Sequence, residues 1–355
     1  MNRNLILYAP NVHNGGGFML LNALLKSWPA EWRLIGFLDQ RARSRLHLPP
    51  DSSIHWVQAN LVSRAWAQVT LNGMASAEDT VLFFHGLPPA FFLKARIVVY
   101  LQNRLYFGKY AISDHNPRVA LRLLYERAIS RIFRQRVDAF VVQTPTMAAA
   151  LRHSLEQWKQ TDLPKVLILP FIDQPTVERD ATVVPEWDFV YVSDGNAHKN
   201  HQRLFQAWRE LKREGLTPKL ALTLGERDRG LAEQVAGLRR EEGLEIDNVG
   251  HLSPPEVSRL YQQARALIFP SLSESFGMPL IEASRHGLPI VAGELDYVRD
   301  VCVPVQTFDP TSARSIARAV RRFLEVPDPG VSLYSPREFL NRMRDEALER
   351  SESSV

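Results

Sequence analysis

The chain has 355 residues, 45% hydrophobic and 23% charged, a length that favours two domains and a composition that excludes disordered and fibrous classes. Its single cysteine, Cys302, excludes a disulfide framework and a thiolate-rich metal site, and fits a reducing compartment. The net charge of +4 is unevenly shared: residues 1–175 carry 20 Lys and Arg against 11 Asp and Glu (+9), residues 176–355 carry 23 against 28 (−5), so the two halves are expected to do different jobs.

No run approaches the roughly 20 apolar residues that span a bilayer, and the opening MNRNLILYAPNVHNGG is too short in apolar residues for an export signal. A cytoplasmic chain with no nucleic-acid partner is expected. Leu5–Tyr8 reads as the first strand. Asn11–Gly17 reads as a turn-rich loop with three glycines, Gly15, Gly16 and Gly17, and Phe18–Trp28 as an amphipathic helix. Strand, glycine-rich loop and helix in this order suit the approach of a phosphate, although a plain tight turn explains the loop equally well.

Further strand-length apolar runs stand at 34–38, 81–84, 97–101, 139–142 and 166–169, with helices between several of them. This is the βα alternation of a doubly wound α/β domain, expected over residues 1–172. Two strand ends carry polar groups: His85 in FFHGLPP, and Gln102 and Asn103 in YLQNR. Between them and the next strand, Arg118, Arg122, Arg127, Arg131 and Arg134 recur at helical spacing, with Leu121, Leu124, Ile129 and Phe133 interleaved. Such a helix presents either a solvated face or a contact for an anionic membrane or a pyrophosphate-bearing acceptor. Thr144 and Pro145 are a helix cap and first helical residue. The polar, proline-bearing 173–187 is the expected linker.

A second domain is expected over 188–330. Phe189–Ser193 reads as its first strand, and Lys199 follows at the entrance of a helix, a point charge suited to a diphosphate. Leu220–Leu224 is the next strand, and Asn248–Leu252 a short strand and turn that includes His251 and Leu252. Pro254–Ala264 reads as a helix with Ser253 and Glu256 as a capping box. Ile290–Ala292 is a strand and Ser312–Leu324 a helix, and Pro336–Arg350 is a last charged helix within 331–355.

The chain is organised around 271–287, SLSESFGMPLIEASRHG, which follows the apolar strand Ala266–Phe269. Pro279 suits a first helical residue and Gly287 a helix stop. Glu274 therefore lies in a loop at the carboxyl end of a strand, where α/β proteins bind ligands, and Glu282 lies in the first helical turn. The N–H groups of Ser275, Phe276, Gly277 and Met278 would point out of a helix N-terminus towards a phosphate. Carboxylates accept hydrogen bonds from adjacent hydroxyls. Two of them around a phosphate site suit a sugar nucleotide.

Glu274-SFGMPLI-Glu282, with HGLPIVA and the segment from Asp296 to Val301, resembles the EX7E region of retaining glycosyltransferases of family 4. FFHGLPP and YLQNR resemble a subgroup that builds bacterial surface polysaccharide such as O-antigen. The resemblance implies a GT-B fold: two Rossmann-like doubly wound domains facing a central cleft, with the last helix crossing back to the first domain. It implies transfer of a hexose-type sugar, with retention, from a UDP- or GDP-linked donor to a saccharide or polyprenyl-pyrophosphate-linked acceptor. No metal and no other cofactor are implied, and no Asp-x-Asp pair occurs in the chain.

By resemblance Glu274 and Lys199 act in catalysis and Glu282 holds the ribose. Ser275, Phe276, Gly277, Met278, Gly15, Gly16 and Gly17 lie around the donor, and His251 and Leu252 pass near its base. His85, Gln102 and Asn103 stand on the acceptor and sugar side. The chain departs from the pattern at Ser193 and Asp194, where most members have glycine and arginine, and at Gln102, where many have histidine. A non-catalytic sugar-nucleotide-binding paralogue and a sugar-nucleotide 2-epimerase are the alternatives.

Overall fold

The computed structural model describes residues 4–84, 86–106, 117–158, 163–172, 180, 182–326 and 337–338. The first half runs β1 (Leu5–Ala9), α1 (Gly15–Lys26), β2 (Ile35–Asp39), β3 (Ser53–Val57), α2 (Leu61–Met74), β4 (Thr80–Phe83), β5 (Arg96–Tyr100), α3 (Pro117–Phe133), β6 (Ala139–Val142), α4 (Pro145–Gln157) and β7 (Lys165–Ile168). Its seven strands lie parallel in the order β3-β2-β1-β4-β5-β6-β7. Ile6 of β1 pairs with Ile35 on one side and Val81 on the other. The order reverses at β1, so right-handed crossovers put α1 on one face and α2, α3 and α4 on the other. The two apolar clusters separate accordingly. Leu20, Leu21 and Leu25 of α1 pack with Leu7 and Leu38, and Leu71, Leu123 and Leu151 pack with Ile6 and Val99.

The second half runs β8 (Trp187–Tyr191), α5 (His201–Arg213), β9 (Leu220–Leu222), α6 (Arg229–Glu242), β10 (Ile246–Asn248), α7 (Pro254–Gln262), β11 (Ala264–Phe269), α8 (Met278–Arg285), β12 (Ile290–Gly293), α9 (Asp296–Arg299), β13 (Gln306–Phe308) and α10 (Ala313–Phe323). Its six strands are parallel in the order β10-β9-β8-β11-β12-β13, with Leu267 of β11 between Val190 and Ile290. One continuous core joins all of them to their helices.

Several local expectations are corrected. Gly15–Gly17 are not a loop but the first turn of α1, which starts after the extended Asn14. Three glycines have poor helix propensity, yet the buried leucines behind them carry the helix. β3 and α6 were not legible as elements, and the strand before His251 is Ile246–Asn248, upstream of the expected Asn248 start. Glu282 is the fifth residue of α8, one residue deeper than expected and at the start of its second turn, because the helix starts at Met278 rather than Pro279. The Thr144 cap and the Ser253–Glu256 box form as read: Met147 N donates to Thr144 Oγ1 at 3.2 Å, and Ser253 N to Glu256 Oε2 at 2.7 Å. His85, most of the linker and nearly all of 331–355 lie outside the described residues.

The two halves meet along a seam at their carboxyl-end loops. Arg104 N donates to Ser275 Oγ at 2.9 Å, and Thr146 N, at the start of α4, donates to Asp300 Oδ2 at 2.9 Å. Met278 packs against the α1-side cluster of the first sheet.

Candidate functional site

β8 ends at Tyr191, and a 3₁₀ turn, Ala197–Lys199, precedes α5. Asn200 holds a left-handed conformation (φ 63°) and donates through Nδ2 to Pro270 O at 3.1 Å and Pro310 O at 2.7 Å. Asn tolerates that conformation better than most side chains. Leu272 N donates to His198 O at 2.8 Å. The Lys199 turn and the loop after β11 are therefore one stitched unit, although 75 residues separate Lys199 from Glu274.

Within it Lys199 Nζ donates to Glu274 Oε1 at 2.6 Å, both side chains being nearly buried (13% and 12% exposed). Ser271 Oγ donates to the same carboxylate oxygen at 2.7 Å. Gly277 caps α8 with φ 70°, and a Cβ there would lie 3.1 Å from Leu280 Cδ1. The glycine thus permits the turn that brings the α8 N-terminus beside Glu274. Glu282 Oε2 accepts from the buried Tyr261 hydroxyl at 3.1 Å.

Across the seam, Gly16 and Gly17 meet this surface. A Cβ at Gly16 would reach Met278 Cγ at 4.0 Å, and one at Gly17 would strike Gln102 Oε1 at 2.7 Å. Gln102 Nε2 donates to Phe84 O at 2.8 Å, which fixes its amide. Asn103 follows in the same loop, and Tyr106 N donates to its carbonyl at 3.3 Å. Ser275 spends its hydroxyl on Arg104 N, so it joins the halves. His251 is exposed and Leu252 half-buried in the turn after β10, where His251 packs over Gly225. The structure thus brings Lys199, Glu274, Ser275, Met278, Gly16, Gly17 and Gln102 to one seam.

Three buried tyrosines, not singled out in the sequence, hold the unit. The Tyr191 hydroxyl donates to Lys199 O at 2.8 Å, that of Tyr297 to Ser271 O at 2.6 Å, and that of Tyr261 to Glu282. Burial pushes all three hydroxyls well above the usual tyrosine range, and the adjacent carboxylates, Glu274 for Tyr191 and Tyr297 and Glu282 for Tyr261, push the same way. They stay protonated donors. His201, its ring tilted against that of Tyr191 with centroids 5.0 Å apart, is pushed down to about 4, first by burial, with Asp194 opposing and Lys199 assisting. Its ring is neutral beside Ser193 Oγ, 3.2 Å from Nε2. Among the described residues no three His, Cys, Asp or Glu side chains converge to hold a metal ion.

Residues 177–348 match the family described as Glycosyl transferases group 1. Over 139 residues the chain is 29% identical to the serotype-specific mannosyltransferase WbdA of Escherichia coli, a stretch covering 38% of this chain and 17% of that protein. It is 30% identical over 74 residues to the O-antigen chain mannosyltransferase RfbU of Salmonella typhimurium, covering 21% of each. The chain thus matches about a fifth or less of the length of these curated relatives. Among solved structures, Anabaena HepE in complex with UDP-glucose superposes with a TM-score of 0.63 at 15% identity, covering 91% of this chain and 90% of that one. The sucrose-phosphate synthase of Thermosynechococcus elongatus gives 0.63 at 16% identity, with the same coverage. Two parallel-sheet domains meeting at their carboxyl-end loops, superposable on these proteins over nearly their full length, are the GT-B fold, and its second half carries the glycosyl transferases group 1 match.

Proposed function

We propose that the chain is a retaining glycosyltransferase of family 4 that moves a hexose-type sugar from a UDP- or GDP-linked donor to a saccharide or polyprenyl-pyrophosphate-linked acceptor. The setting is cell-surface polysaccharide synthesis of the O-antigen kind, at the inner face of the cytoplasmic membrane. The donor-binding domain is 188–330 and the acceptor-side domain 1–172, with 173–187 between them and 331–355 returning to the first. The observation that carries the reading is the 2.6 Å pair of Lys199 and Glu274 beside the N-terminus of α8. An ammonium and a helix N-terminus aimed at one place favour a leaving diphosphate. Glu282, which accepts from the Tyr261 hydroxyl, would accept from the ribose hydroxyls as well.

In the proposed reaction the bond from the anomeric carbon to the diphosphate oxygen breaks, and the electron pair leaves with the diphosphate. Lys199 neutralises the charge that appears there. Glu274, released from Lys199, and the backbone near Phe276 and Gly277 hold the sugar. The acceptor hydroxyl attacks from the leaving-group face and its proton passes to a diphosphate oxygen. Arg104 offers a further cation where Asp194 replaces the usual arginine. Its backbone is tied to Ser275, and its charge reaches the Tyr297 hydroxyl beside the Glu274 loop. Closing the seam excludes water, which would otherwise take the sugar.

Donor titration and steady-state kinetics test the assignment. Glu282→Ala should raise donor KM about tenfold with little change in kcat, whereas Glu274→Ala should lower kcat as well. Unchanged constants in both variants would remove it. A thermal-shift panel of nucleoside diphosphates identifies the base, since ligand binding to the folded chain raises its melting temperature.

A further inference from the structure

The first domain carries an unusual surface on the face formed by α2 and α3. α2 contains one charged residue, Arg64, and no carboxylate. Val62, Trp66 and Val69, at i, i+4 and i+7, are 68%, 66% and 49% exposed, and Ala65 between them is exposed too. One entire flank of this helix is apolar and open to solvent. α3 repeats the pattern. Leu121, Leu124, Tyr125 and Ile132 share one side at i, i+3, i+4 and i+11, and are 70%, 53%, 60% and 64% exposed. The inward side is served by Leu123, which is buried.

The two helices and the loop before β5 are neighbours. Ala90 N donates to Gln68 Oε1 of α2 at 2.9 Å, and Arg136, just past α3, donates through Nη1 to Pro89 O at 3.2 Å. That loop adds Phe92, 73% exposed. Monomeric soluble proteins rarely expose contiguous apolar patches of this kind without a partner.

Charge selects the partner. Arg122 and Arg131 stand exposed on the two edges of the α3 stripe. The only carboxylate on either helix, Glu126, is turned inward and pairs with Arg122 at 3.7 Å. An apolar stripe edged by guanidinium groups, with no outward carboxylate, matches the interface of an anionic bilayer, where apolar side chains enter the acyl boundary and cations meet phosphate headgroups. A second copy docked by a two-fold axis would instead set one arginine edge against another.

We propose that α2, α3 and the Phe92 loop form a monolayer-inserting face that holds the first domain on an anionic lipid surface. This specifies the membrane contact within the proposed function, but its test needs neither donor nor acceptor, so the two readings fail separately. The full chain is mixed with phosphatidylcholine vesicles, with and without phosphatidylglycerol, and floated on a density gradient. It should float with the anionic vesicles and much less with the neutral ones. Trp66→Ser and Leu121→Ser should each weaken vesicle binding about tenfold, and Arg131→Glu severalfold. All three positions are solvent-exposed, so melting temperatures should stay at the parent value, which separates lost docking from lost folding. The proposal is overturned if the folded parent chain does not float, if these substitutions leave flotation unchanged, or if the parent is a dimer that the same substitutions turn into monomers.

Discussion

The two halves share an architecture and spend their apolar residues differently. Of the large hydrophobic side chains exposed among the described residues, 18 belong to the first half and 5 to the second. The second half gathers its apolar residues into one continuous core and turns Lys199, Glu274 and His201 inward, at the loops after β8 and β11. The first half splits its core across two faces of the sheet and leaves apolar and basic groups facing out. A half that grips a compact, charged small molecule gains from buried, pre-oriented polar groups. A half that meets a large or lipid-borne partner gains from an exposed surface. The shared fold fixes neither role; the side chains do.

The contrast breaks hardest at Lys199. Lys199→Ala removes the ammonium proposed for the leaving diphosphate and strands a nearly buried Glu274 with Ser271 as its remaining donor in the pair's place. Turnover should fall about 100- to 1,000-fold, with a smaller rise in donor KM, because the missing charge matters most as the bond breaks. Vesicle binding should not change. A kcat within tenfold of the parent, measured by quenched-flow or coupled release of nucleoside diphosphate, would show that the ammonium does not face the leaving group.

Acid should separate the halves next. His201 is 4% exposed, with Nδ1 lacking a partner, and its folded-state value of about 4 lies below the unfolded 6.5. The unfolded chain therefore binds a proton that the folded chain refuses, and stability falls as pH drops from about 6.5 to about 4. The loss across that window is about 3 kcal/mol. His201→Phe, which can still pack against Tyr191, should flatten the dependence of melting temperature on pH in this range. An unchanged slope would assign the acid sensitivity to other groups. Smaller still is Tyr261→Phe, which leaves the ring packing in place and removes one hydrogen bond to Glu282. Donor KM should rise severalfold, from about 1 kcal/mol, with kcat preserved.

What could be read from the residues follows from how far their partners lie along the chain. The strand at Ala266–Phe269, the glycine-capped α8 and the Thr144 cap are local, and each was legible. The Lys199–Glu274 convergence followed from placing both at carboxyl ends of parallel strands. The three tyrosines were not legible as site residues, because the partner of a tyrosine hydroxyl is set by tertiary packing, 8 to 26 positions away here. β3 escaped because SIHWV is short, its polar–apolar alternation running over only Ser53–Trp56, and it is half-buried along most of its length. The exposed stripe on α3 was half visible: the arginine spacing and Leu121 and Leu124 stood out, but which side faces water depends on how the helix seats on the sheet. The Ser275 hydroxyl's part in the seam was not legible either, because it accepts from Arg104 N, 171 positions away.

That seam gives the smallest and most discriminating test. Asp300 Oδ2 accepts from Thr146 N in the first turn of α4, so one carboxylate of the second half sits at the positive end of a helix in the first. Asp300→Ala removes this tie while leaving Lys199, Glu274, Glu282 and the lipid-facing stripe untouched. The bond contributes about 0.5–1.5 kcal/mol to the closed arrangement, so the closed-to-open ratio should drop by a factor of about 2–10. Small-angle scattering should show a slightly larger radius of gyration without donor, and saturating donor should restore the parent value. Because donor binding must then draw closure from a less closed population, KM should rise by no more than that factor, and hydrolysis of donor by water should increase relative to transfer. If scattering and the hydrolysis-to-transfer ratio both match the parent, the Asp300–Thr146 bond does not set closure, and the Arg104–Ser275 contact, Met278 packing and the remaining α4–α9 contact suffice to hold the halves.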